Sequence, residues 1–308
     1  MRELLPWLSW WLVQGGFLVA TWALSRESGL TPERVSALTI ANSFFLVGAE
    51  QLLPRVPGTN LFRDRQSLCD ILHGVAFQYG ARPLGQALAT GGAVWAATAC
   101  PVAAGLWPEA WPLAAEVLLG IFLWSLLNYG FHRSLHRFAP LWWFHAIHHD
   151  TTQMHLLKSA RLHVGEEFLQ FLVVPVPFLI LGVGPEVMAW VALWNVYDGN
   201  LVHSNLAQRF PSFLHWFWPT AQNHYLHHAV ERHLQDSNYA SMPIIDVLFG
   251  TYRHPDRHPV TATGLAGNPV PRGFLGQLLY PFGALLRPAA ARAEWEAAAR
   301  AAATSPGR

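Results

Sequence analysis

Four long apolar runs open the chain: Leu4 to Leu24, Val35 to Leu53, Leu84 to Leu106 and Leu113 to Phe131. Each reaches the ~20 residues with which a helix crosses ~30 Å of hydrocarbon, so the pattern predicts four main transmembrane helices. The first run lacks a small-residue cleavage site before Arg26 and reads as a retained helix rather than a signal peptide. A fifth run, Phe168 to Val196, is interrupted by "VPVP" at Val174 to Pro177 and by "GVGP" at Gly182 to Pro185. Prolines and glycines in those positions divide it into two short limbs. The expected form is a broken apolar hairpin that brings the chain back to its starting side, as it must if the histidines on both flanks are to meet. Past Pro211 the chain turns polar and aromatic, and the stretch from Ala289 to Ala303 reads as a surface helix before a frayed "TSPGR" end.

Composition agrees with a membrane setting. Hydrophobic residues make up 52% of the chain and charged residues only 13%, with a mean hydropathy of +0.21, whereas soluble domains carry about 25% charged residues. A formal net charge of +1 gives no reason to expect a nucleic-acid partner. The two cysteines, Cys69 and Cys100, stand among apolar neighbours and support neither a disulfide framework nor a thiolate metal site. Tryptophans gather near the ends of the apolar runs, at Trp7, Trp10, Trp11, Trp107, Trp111, Trp142 and Trp143, where an interfacial belt explains them. Orientation follows from the loops. "PRVPGTNLFRDRQS", Pro54 to Ser67, holds three arginines, whereas "WPEAWP", Trp107 to Pro112, holds no basic residue. The excess of positive charge puts the first loop in the cytoplasm, and alternation returns Phe131 to that same side.

The polar residues that follow are mostly histidines. "HRSLH" places His132 and His136 four apart, "HAIHH" supplies His145, His148 and His149, and "HYLHH" repeats the spacing with His224, His227 and His228. Residues three and four apart share a helix face, so each HxxHH box is expected to aim its imidazoles at one point. Eight packed imidazoles without a cation would leave many buried nitrogens in need of partners. A metal satisfies their lone pairs, and there are too many ligands for one ion, since a zinc site takes three or four. Two metals are the economical reading. Imidazole alone leaves zinc, copper, iron and nickel open. His73, His215, His233, His254 and His258 stand outside these motifs and are assigned no function.

In its order HxxxH, HxxHH, HxxHH on a polytopic chain, the sequence resembles the fatty acid hydroxylase superfamily, also called the sterol desaturase family, of integral-membrane diiron oxygenases. The similarity extends to "YGFHRSLHRFAPLWWFHAIHH" from Tyr129, to "LVHSN" from Leu201, and to "HYLHHAVERHLQDSNYASMPIIDVLFGTY" from His224. It covers about residues 115 to 285 and is specific to the superfamily rather than to one reaction. The resemblance implies two iron ions with O2 as co-substrate, and as ligands His132, His136, His145, His148, His149, His203, His224, His227 and His228. It further implies that Arg161, His163 and Glu166 of "RLHVGEE" support the site and that Asp246 of "DVLFGTY" accepts from a ligand N–H. Two departures stand out: Ser125 lies where relatives often carry an aspartate, and His203 is alone where some carry two histidines. The sequence contains no HPGG haem-binding motif, so electrons are expected from a separate carrier of ferredoxin, cytochrome b5 or reductase type.

The expectation is therefore an all-α, polytopic membrane oxidoreductase with a cytoplasmic, histidine-rich dimetal core that hydroxylates a C–H bond of a fatty acyl, sterol or related lipid. Lipid desaturation and ether-lipid oxygenation on the same site are the near alternatives. A membrane zinc hydrolase would want a glutamate inside the box, where Ala146, Ile147, Tyr225 and Leu226 stand instead. A metal transporter would spread its ligands along membrane helices, and a haem protein needs only one or two axial histidines. Three regions are expected: N-terminal membrane helices over 1–114, a catalytic domain over 115–285, and a surface helix and tail over 286–308.

Overall fold

The computed structural model describes residues 3–99, 106–267 and 269–286. Expectations for Cys100 and for the helix over 289–303 fall outside those residues. Among the described residues every named element is helical and there are no strands, only two isolated bridges. Helices α1 (Leu5–Trp10) and α2 (Gly16–Ser28) are joined by a π-helical turn, Trp11–Gly15. Helix α3 (Pro32–Leu52) begins with Thr31 as its cap, the hydroxyl accepting from the Arg34 amide, and with Pro32 in the first turn. A second π-helical turn, Phe77–Ala81, links α4 (Ser67–Ala76) to α5 (Arg82–Ala99). Then come α6 (Leu113–Arg137), α7 (Ala139–His149), α8 (Val164–Val173), α9 (Val176–Leu181) and α10 (Pro185–His203). The remaining helices are shorter: α11 (Ala221–His227), α12 (Arg232–Gln235), α13 (Pro243–Leu248) and α14 (Phe274–Leu285).

Among the described residues, three helical segments are long and apolar enough to cross a membrane: Pro32–Leu52, Leu113–Arg137 and Val164–Leu181. Regular helix stops at Val173 and resumes at Val176, the break expected at "VPVP", yet the two limbs stay in line as one crossing-length segment. Val174 and Pro175 both hold right-handed helical angles and Pro177 lies in the first turn of α9, where a missing N–H costs nothing. "GVGP" does end the limb, because Gly182 takes the left-handed conformation, φ 78°, that glycine adopts without a Cβ clash. Helix α10 then runs back, so α8 begins just after His163 and α10 ends at His203. Large apolar side chains such as Trp22, Phe44 and Leu52 face outward from α2 and α3, as a lipid-facing surface does.

The inner core of the hairpin is apolar and aromatic. Val117 and Ile121 of α6 pack with Phe178 of α9 and with Val187, Trp190, Val191 and Trp194 of α10. Glu116, which sits within an apolar run, is satisfied by the Trp107 indole N–H at 2.7 Å. Gly120 lets α6 and α10 approach closely: a Cβ there would stand 2.8 Å from Val191 Cγ2 and 3.4 Å from Val187 Cγ1. Valine is stiff at χ1 and cannot swing aside. Gly120→Leu is therefore expected to destabilise the protein by about 1–3 kcal/mol, read as a lowered midpoint of thermal unfolding in detergent. An unchanged midpoint would mean that this helix crossing is not as tight as described.

The N-terminal helices are bound to the rest through buried acids. Glu50 Oε1 accepts from the amides of Leu156 and Asn205 at 2.8 and 2.7 Å. Lys158 Nζ lies 2.5 Å from Asp64 Oδ2 and 2.6 Å from Asp70 Oδ2. Arg161 Nη1 lies 2.9 Å from Asp70 Oδ1, and His155 Nε2 is 3.0 Å from Asp64. The Asp64 carboxyl is held below its ordinary range: burial raises it, but His155 and Lys158 together outweigh burial. The arginine-rich loop and the chain beyond α7 thus share one side of the molecule.

Candidate metal centre

Nine histidines meet where α6, α7, α10 and α11 converge, and they fall into two groups. His132, His136, His145, His149 and His227 form one, and His148, His203, His224 and His228 form the other; within each, one nitrogen per ring lies within 4.8 Å of all the others. This differs from the expectation that each HxxHH box aims at one point. In α7 the i, i+4 pair His145 and His149 serves the five-histidine group and His148 the four-histidine group. The second box reverses the division, with His224 and His228 in the four-histidine group and His227 in the other. At 100° per residue, positions i+3 and i+4 diverge enough to line two adjoining centres.

Hydrogen bonds fix which nitrogen is free. His132 Nδ1 donates to the Tyr239 carbonyl at 2.8 Å, His227 Nδ1 to the Ser237 carbonyl at 2.7 Å, and His203 Nδ1 to the Gly199 carbonyl at 2.6 Å. His145 Nδ1 reaches Glu166 Oε1 at 2.8 Å. Each of these rings, neutral, then carries a bare lone pair on Nε2. Those lone pairs face one another: His132 Nε2 stands 3.0 Å from both His145 Nε2 and His227 Nε2. In the other group His203 Nε2 is 3.2 Å from His148 Nε2 and 2.8 Å from His224 Nε2, which is 3.1 Å from His228 Nε2.

Among His132, His145 and His227 acceptor thus faces acceptor, which at such distances is repulsive unless a cation lies between them. Two nitrogens at right angles around an ion with bonds of about 2.1 Å stand about 3.0 Å apart, close to the spacings found. Buried His136 Nε2, His148 Nδ1 and both nitrogens of His149 have no hydrogen-bond partner, as befits groups that serve something other than protein. Burial is the main reason that His148, His149, His224, His227 and His228 lie well below the ordinary histidine value, with neighbouring imidazoles adding to it. His145 is lowered to about 3 by burial and then by the Arg232 charge. The rings are therefore neutral, the form that binds metal. The residues present fit a pair of metal ions.

The supporting residues occupy distinct places. Glu166 touches His145 directly. His163 belongs to neither group: its Nδ1 accepts from the Gly165 amide, capping α8, and its Nε2 meets the Leu278 carbonyl at 3.0 Å. Arg161 donates through Nε to the Ile147 carbonyl at 2.9 Å, steadying α7 without reaching an imidazole. Asp246 accepts from the amides of Tyr239 and Ala240 and from the Thr251 hydroxyl. It therefore holds the segment whose Tyr239 carbonyl orients His132, rather than accepting from a histidine N–H. Ser125 likewise accepts from the Ser241 hydroxyl and the Met242 amide.

Sequence reasoning missed Asp236, whose Oδ1 is 3.3 Å from His136 Nδ1, and the carbonyls of Gly199, Ser237 and Tyr239, which no side-chain pattern announces. It also misplaced Trp142 and Trp143. Both are buried: Trp142 packs on His149 at 5.5 Å and under the Arg232 guanidinium at 4.4 Å, walling the histidines, and Trp143 packs on Tyr280 in the core beside it.

A cavity of about 520 Å³ opens beside the cluster. The imidazoles of His132, His145, His148, His203 and His224 line one side of it, and Phe77, Trp124, Phe131 and Leu135 supply apolar wall. An apolar molecule with a polar end fits such a space.

Comparison with known proteins agrees with this architecture. Residues 117–251 match the fatty acid hydroxylase family. Ornithine lipid hydroxylase OlsE of Rhizobium tropici is 30% identical over 224 residues, covering 71% of this chain and 67% of that protein. Alkylglycerol monooxygenase of Xenopus tropicalis is 29% identical over 126 residues, 40% of this chain and 27% of that protein. No solved structure matches the chain. The family match ends at residue 251, within the "LFGTY" that follows the last box, and the longer match extends over 71% of the chain. On these grounds the chain belongs to the fatty acid hydroxylase superfamily.

Proposed function

We propose that this protein is a membrane diiron oxidoreductase that uses O2 to hydroxylate a C–H bond of a polar lipid. The single observation that carries the reading is the division of nine clustered imidazoles, seven of them buried, into two adjoining groups, with the Nε2 lone pairs of His132, His145 and His227 facing one another. His132, His136, His145, His149 and His227 would hold one ion, and His148, His203, His224 and His228 the other. Bound iron would supply the activation of O2 and the cleavage of the C–H bond.

The chain's own residues do the rest. Glu166 and the carbonyls of Gly199, Ser237 and Tyr239 lock the rings in one tautomer and one orientation. Trp142 and the apolar wall of the cavity limit water at the centre. Five of the imidazoles line the cavity, so a substrate held there lies beside them. Because the arginine-rich loop packs against the segment after α7 through Asp64, positive-inside bias favours a cytoplasmic position for the histidines. A separate reductant would deliver electrons there while the lipid enters from the bilayer. The overall change is RH + O2 + two electrons + two protons to ROH + H2O. An ornithine lipid, as named for the Rhizobium relative, is the substrate to try first.

The test is elemental analysis of detergent-purified protein with Mössbauer spectroscopy on an iron-57-grown sample, followed by turnover with 18O2, reductant and lipid. Two coupled irons per chain and a product heavier by one 18O atom are expected. One metal per chain, or zinc with no oxygenated product after iron reconstitution, would overturn the proposal.

A further inference from the structure

Most polar side chains lining the cavity have partners within the protein. Gln170 donates to Asn128 at 2.7 Å, Asn200 accepts from Ser159 and donates to Asn42, and Arg82 donates to Gln78 at 2.9 Å. Glu167 of α8 and Asp198 of α10 differ. Both line the cavity and are only 7% and 4% exposed, yet no hydrogen bond or ion pair reaches either carboxylate among the described residues. Neither counts among the sealed, unsatisfied atoms, so what little surface these side chains keep is turned to the cavity.

We infer that Glu167 and Asp198 form the receptor for a cationic amine on the polar end of the substrate lipid. The inference rests on the hydroxylase reading, whose substrate class it narrows. Unpaired carboxylates in an apolar surround are costly and persist where a partner arrives from outside. Ionisable groups within membrane helices mark the path of a ligand for the same reason. An ammonium suits either acid: it brings three N–H donors and a positive charge that offsets the carboxylate it meets, on whichever side of the cavity the head settles. An anionic head would be repelled by these acids, and a lipid with only hydroxyls would leave both without a counter-charge. The receptor is also close to the histidines. Glu167 follows Glu166, the partner of His145, and Asp198 precedes His203 by five residues on α10, about 7.5 Å along the axis.

Binding tests this without turnover. The full-length, iron-loaded protein in lipid nanodiscs is titrated with an N-acyl ornithine lipid and with the same lipid acetylated on its free amine, bound lipid being counted by native mass spectrometry. The free amine is expected to bind at least about tenfold more tightly than its neutral analogue. Glu167→Gln and Asp198→Asn should each erase most of that preference while keeping iron content and affinity for the acetylated lipid. Equal affinity of the wild type for the two lipids, or a preference unchanged in both variants, would overturn the inference. A protein that selects the amine but yields no oxygenated product would instead sink the hydroxylase reading and leave the receptor standing.

Discussion

Asp70→Ala is expected to cost about 3–5 kcal/mol, enough to leave little folded protein in detergent. Asp70 is fully buried, and its two oxygens face Lys158 and Arg161, which are themselves only 2% and 1% exposed. Removing one partner of a buried ion pair strands the other charge, and that loss is a large fraction of the 5–15 kcal/mol that holds a typical domain. Arg161 also anchors the Ile147 carbonyl, so disorder would pass directly into α7 and its histidines. Asp64→Asn should be milder, because Asp64 is less buried and Lys158 keeps Asp70. Folded yield and melting midpoint decide the matter. Wild-type stability in Asp70→Ala would show that the network is not a support.

His227→Ala should lower iron from two per chain toward one and reduce hydroxylated product by more than about 100-fold, since losing merely an outer partner of a ligand costs 10–100-fold. The variant empties one corner of the five-histidine group and also frees His132 Nε2 from its neighbour at 3.0 Å. His224 and His228, next to it in sequence, belong to the other group, so the second ion should remain. His233→Ala is the control: His233 is exposed, lies in neither group, and should keep full iron and activity. Iron per chain and product rate are measured on the same preparations. Full iron content in His227→Ala would remove it from the ligand set.

All nine clustered histidines could be read from spacing and resemblance, but their division into two groups could not. Spacing says that His148 and His149 lie about 100° apart around α7; only the position of α10 and α11 decides that one ring faces His203 while its neighbour faces His227. The hairpin was legible at "GVGP" because Gly182 needs a positive φ. "VPVP" was legible as the interruption between α8 and α9, but not that Val174 and Pro175 would keep right-handed angles and hold the two limbs in line. Asp236, Glu50 and Asp70 carry no local pattern. Their partners His136, Asn205 and Arg161 lie roughly 90 to 155 residues away, so burial and contact, not neighbours in sequence, assign them.

The buried acids of the N-terminal helices bear on how such a chain can be recombined. The boundary expected near residue 114 separates the leading helices from the histidine boxes, yet Glu50, Asp64 and Asp70 clamp segments that lie well beyond it. A chimera that took its first 114 residues from another member of the superfamily would inherit the histidines intact and still fail, unless the donor supplied these three carboxylates in register. Drift in the leading helices is thus tied to drift at Lys158 and Arg161, and the two halves must be exchanged together.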